Sequence, residues 1–162
     1  MRGFWKTVRW AVDTLTKIAM LCLLGMTLVT CVDVVGRFFD RPIFGSVEIV
    51  GFMATLAVAM ALPYTHQVKG NIGVEIVVRL LSARSQRIIE LGTNILSFVL
   101  FGLITWRIAI YARTIQKSGE VSMSLEFPEY IIIYVVSFCF FVFFVLILQD
   151  IVKNIEMLRG KR

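Results

Sequence analysis

The chain has 162 residues, 58% of them hydrophobic, with a mean hydropathy of +0.82 and a net charge of +6. It has too little polar surface to coat a soluble globule and more apolar bulk than a domain of this size can hide, so lipid is the expected solvent. Its basic residues lie in short pieces between apolar runs, where anionic headgroups attract each by about 1 kcal/mol, and this pattern speaks against nucleic acid as a partner and for membrane lipids.

Four apolar runs dominate the chain: Ile18 to Val32, Ile49 to Thr65, Leu91 to Trp106 and Tyr130 to Gln149. A hydrocarbon core of roughly 30 Å takes about 20 helical residues to cross, and each run approaches that length once the charge at its edge is admitted. The expected fold is an all-α membrane protein of one domain, with spans at about 15–36, 47–65, 89–112 and 129–150. The first run is long for a signal peptide and no small-x-small cleavage site follows it, so it reads as a permanent span. At its end Asp33 precedes Arg37 by four residues, the spacing of a helical ion pair.

Span two carries Gly51, Thr55 and Ala59 at steps of four, with Ala54, Ala57 and Ala61 beside them. Small residues let another helix backbone come close, which predicts contact within the bundle. Glu48 near the start of this span suits the positive end of a helix, and His66 lies at its far edge. Between spans two and three, Val74, Val77, Val78, Leu81 and Ile88 recur at helical spacing, while Glu75, Arg79, Ser82 and Gln86 share another face. This predicts an amphipathic helix over about 72–87, too short and charged to cross but suited to the interface, with Arg84 and Arg87 reaching toward headgroups. Glu75, Arg79, Arg84 and Arg87 are its candidate bracing residues.

Arg107 falls just past the third run beside Trp106 and reads as an anchor whose stem stretches toward headgroups. Glu126 and Glu129 flank Pro128 where span four begins, as acids and an early proline do at a helix start. Span four holds Phe138, Phe140, Phe141, Phe143 and Phe144 on all sides, which suggests lipid or a large protein surface around it.

Lys and Arg divide unevenly between the two sides of such a bundle. Twelve lie in the amino-terminal segment, the middle connection and the tail; five lie at the first and third connections or, as Arg107 does, just inside a span beside them. The positive-inside rule then places both termini and the middle connection in the cytoplasm of a bacterial or archaeal cell, the chain being multi-pass in the inner membrane.

Cys22, Cys31 and Cys139 sit within apolar runs, with no CxxC and no second histidine to join His66, so no metal site, cofactor or cysteine chemistry is expected. No nucleophile, base and orienting group can be assembled into an enzyme. Nor does an acid, a base or a paired helix break stand near the middle of a run, where independent carriers grip their solutes.

The connecting segments resemble a known family. Arg37, Arg41-Pro42, Gly45-Ser46 and Glu48 are similar to the first connection of the small membrane subunit of tripartite ATP-independent periplasmic (TRAP) transporters. His66, Lys69, Gly70, Asn71, Ile72, Val74 and Glu75 resemble the stretch after that family's second span, and Ser122, Leu125 and Pro128 its third connection. The family often has paired acids where this chain has Val47 and Glu48, and a proline near the place of Ser137. The resemblance implies a fixed, non-catalytic scaffold beside a large multi-span permease subunit. That subunit would carry an organic acid, a dicarboxylate among the candidates, by sodium symport after a periplasmic substrate-binding protein has captured it. It also makes Arg37, Arg41, Glu48, Ser122 and Pro128 candidate partner contacts. A haem-carrying anchor of a respiratory enzyme and a small oligomeric exporter are the alternatives; the first normally requires two axial histidines and the second a deep ionisable group.

Overall fold

Residues 2–68 and 83–158 are described by a computed structural model of the chain. They form four helices: α1 (Arg2–Phe38), α2 (Ser46–Gln67), α3 (Ala83–Ser118) and α4 (Tyr130–Leu158). All four are long and apolar enough to cross a membrane. The predicted amphipathic helix falls mostly on 69–82, outside the described residues, which leaves Glu75 and Arg79 undescribed. Arg84 and Arg87 belong to the first turns of α3, which continues through 83–118 without a break. Nothing in that stretch stops a helix: it contains no proline, and its two glycines, Gly92 and Gly102, are tolerated mid-helix.

Successive helices run in opposite directions, so α2 and α4 are parallel. One end of the bundle carries the connections 39–45 and 119–129 and is called the hairpin end; the other carries the start of α1 and is the terminal end. Contacts pass from α1 to α2, from α2 to α4 and from α4 to α3, with α1 grazing α4. The bundle is therefore an open row. Its inner members have 28% of their spanning windows buried, against 11% for α1 and 6% for α3.

The main core gathers near the terminal end, where Val12, Leu15 and Ala19 of α1 meet Ala59 and Met60 of α2 and Cys139, Val142 and Leu146 of α4. Higher up, Gly25 lets Met53 approach, its sulfur 3.3 Å from where a Cβ would stand. The small-residue pattern of α2 is used only in part: Ala57 and Ala59 are buried, whereas Gly51 and Thr55 are exposed and nothing lies within 4 Å of a Cβ added at Gly51. Steps of four drift around a helix of 3.6 residues per turn, so the upper members of the pattern rotate off the contact face.

The phenylalanines of α4 are not all turned outward. Phe144 stacks on Phe98 at 4.3 Å between ring centroids, while Phe101 meets Phe140 at 5.9 Å and Phe143 edge-on at 4.6 Å. Gly102 makes room for Phe144, whose ring would lie 3.0 Å from a Cβ there. Such pairs contribute about 0.5–1.5 kcal/mol each beyond the area they cover, and they zip α3 to α4. Only Phe138 and Phe141 remain largely exposed. Five threonine hydroxyls within the spans are hidden locally: Thr16, Thr27, Thr30, Thr55 and Thr105 each donate to the carbonyl four residues earlier at 2.7–2.9 Å, which spares each of them an unpaired donor in an apolar surrounding.

Candidate functional site

The first connection begins where α1 ends in a left-handed residue, Asp40 (φ 57°). The Arg41 N–H donates to the Gly36 carbonyl at 2.8 Å and the Asp40 N–H to Arg37 at 3.2 Å, the paired bonds of a Schellman motif. Asp tolerates the left-handed region better than most residues. Gly36 is needed because a Cβ there would run into the Arg41 carbonyl oxygen. Asp33, nearly buried, holds the turn from below: one carboxylate oxygen accepts from Arg37 Nε at 2.8 Å and the other from the Ile43 N–H at 2.9 Å. The expected ion pair is present, and Asp33 binds the following loop as well.

The third connection is folded onto itself. Gly119 (φ 70°) ends α3 with its N–H on the Ile115 carbonyl at 3.1 Å. Val121 and Pro128 then form an antiparallel bridge. Within that bridge the Ser122 N–H donates to Phe127 at 3.0 Å, and the Phe127 N–H donates back to the Ser122 hydroxyl at 3.2 Å.

Glu48 joins the two connections. Its carboxylate accepts from the Ser124 N–H at 2.7 Å and the Leu125 N–H at 3.0 Å, and the Ser122 side chain faces the same group. Beside it Gly45 (φ 71°) receives Leu125, whose side chain would stand 2.7 Å from an added Cβ, and Phe52 packs on Phe127 at 5.8 Å. The hairpin end is thereby one braced plate. Of the candidate partner contacts, Glu48, Ser122 and Pro128 build the inside of this plate. Arg37 keeps 57% of its side chain exposed while paired with Asp33, and Arg41 is exposed. Phe38, Phe39, Phe44 and Met123 project from the same plate, Met123 fully.

At the terminal end α2 and α4 meet again through His66. Its ring stands edge-on to Phe143 at 5.2 Å, and Nε2 lies 3.1 Å from Asp150 Oδ2, though off the line of a well-formed hydrogen bond. Lys153 pairs with the other oxygen of Asp150 at 3.3 Å. The sequence places His66 at the far edge of span two; the parallel packing of α2 and α4 brings Asp150 to it.

Arg107 lies on α3, eleven residues before its end at Ser118. Phe101 lies against Phe140, and the Tyr134 hydroxyl donates to Gln116 at 3.0 Å, so Arg107 is level with α4 between Tyr134 and Phe140. At 1.5 Å per residue that is roughly 11 Å below Tyr130, and about 16 Å below the end of α3. The apolar sequence resumes after Arg107 with Ile108 to Ala112, so Arg107 falls inside the stretch Leu91–Ser118 that is long and apolar enough to span. A lipid-exposed arginine at the centre of a spanning helix costs about 2.5–3.5 kcal/mol on insertion scales.

A multi-pass helical membrane subunit with braced connections at one end is the class these features define. The family model described as "Tripartite ATP-independent periplasmic transporters, DctQ component" matches residues 26–157. The chain belongs to this family, the small component of TRAP transporters. No curated protein and no solved structure matches it.

Proposed function

We propose that the chain is the fixed, non-catalytic scaffold of its transporter. It sits beside a large sodium-coupled permease subunit that takes up an organic acid, a dicarboxylate being one candidate, after a periplasmic binding protein has captured it. The hairpin end faces the periplasm and both termini face the cytoplasm, as the bias of basic residues favours. The observation that carries this reading is the Glu48 carboxylate seated on two main-chain N–H groups of the other connection. It makes the periplasmic surface a rigid platform, and a moving neighbour needs a surface of that kind to be held against. Arg37 and Arg41, the cationic side chains on that platform, steer and seat the soluble protein, a role in which charges act mainly on the rate of encounter.

The test is reconstitution with all three components. Arg37→Ala with Arg41→Ala is expected to lower uptake roughly 2- to 10-fold while recovery of the permease subunit is unchanged; unaltered uptake ends the docking role. Vesicles holding this chain alone are expected to accumulate no organic anion, and accumulation by the chain alone would end the scaffold reading.

A further inference from the structure

The two outer helices of the row present unlike faces. On α1, Leu21, Leu24, Leu28 and Val35 are exposed with no charge among them, and lipid tails can cover such a face without cost. On α3, the side away from α4 carries Leu100, Leu103, Arg107, Tyr111 and Thr114 at steps of three and four, all exposed. Arg107 breaks an otherwise compatible stripe with a permanent positive charge. Among the described residues nothing accepts a hydrogen bond from it, since no described contact involves its guanidinium. Its escape to headgroups is also directed the wrong way. The Cα–Cβ bonds of a helix lean toward its N-terminus, which for α3 is the terminal end, whereas the end of the helix nearer to Arg107 is the hairpin end. Arg107, Ile108, Ile110, Tyr111 and Thr114 line a shallow recess into which a neighbouring side chain can reach.

We propose that this side of α3 is where the large permease subunit sits, and that a transmembrane helix of the permease meets Arg107 with a carboxylate or a free backbone carbonyl at matching depth. The charge identifies the face by complementarity: a fork of five donors within hydrocarbon needs a planar acceptor, and a packed protein helix can hold one there. The α1 edge of the row is left to lipid. The inference rests on the scaffold reading and deepens it by assigning the contacting helix and the chemistry of the contact.

The experiment uses the full chain co-expressed with its permease subunit in membranes, with a photo-crosslinking residue placed at Leu103 or at Leu24. The expected result is a crosslink from position 103 to a permease helix and none from position 24. Arg107→Leu should lower co-purification of the permease on the order of tenfold or more while the chain's own level in the membrane holds or rises. Arg107→Lys should recover part of the loss, since it keeps the charge without the fork. Lipid adducts alone at position 103, or equal permease recovery with Arg107→Leu, overturns the proposal and leaves the scaffold reading standing. If the unsubstituted chain recovers no permease, the scaffold reading falls and this proposal with it.

Discussion

The two ends of the α2–α4 pair are both joined by a carboxylate, in different ways. At the hairpin end Glu48 accepts from two backbone N–H groups at 2.7 and 3.0 Å, so it fixes the path of a loop. At the terminal end Asp150 meets His66 and Lys153, two side chains that keep their own rotamers, and the His66 contact is off axis. A carboxylate on the main chain dictates shape, whereas one paired with mobile side chains mainly records proximity. The hairpin end should therefore respond sharply to substitution, and the terminal end mildly.

The largest effect is expected from Glu48→Ala, which frees both N–H groups at the centre of the plate. Uptake by the complete transporter should fall on the order of tenfold, and hydrogen exchange at Ser124 and Leu125 should quicken. Exchange that stays slow would mean the third connection holds its shape without Glu48. Gly45→Ala comes next. It strains a left-handed residue and drives a Cβ into Leu125, a combined cost of about 1–3 kcal/mol in thermal unfolding of the detergent-solubilised chain. Adding Leu125→Ala should remove the clash and leave the backbone strain, so the double variant is expected to recover only part of the loss. The smallest effect belongs to His66→Gln at the other end, expected to change stability by less than about 1 kcal/mol, since a partly exposed, poorly aligned pair contributes little. A larger loss there would erase the contrast between the two ends.

Much of this was legible in the sequence because hydrophobicity is a local property. Four apolar runs gave four helices, and the order of Arg37, Glu48, Ser122 and Pro128 along the chain was enough to suggest the family. The i,i+4 spacing of Asp33 and Arg37 gave their ion pair for the same reason. Contacts between distant segments were not legible. Glu48 reaches residues 76 and 77 positions away, and His66 finds Asp150 only because two connections make α2 and α4 parallel. Nor was the level of Arg107 along α4 legible: it depends on how far α3 slides along α4, which the Phe98, Phe101 and Gly102 contacts with α4 decide. The phenylalanines of α4 misled similarly, since their spread around the helix does not disclose that α3 covers one side.

The open row has a consequence for how variation in this protein will be felt. A closed bundle keeps most of its sensitive positions in its own centre, where purified material reports their loss. Here the outer helices have little interior of their own, so many substitutions will leave the solitary chain intact and register only as a weakened assembly. Inherited changes along α3 are then expected to be matched by changes in whatever surface packs against it.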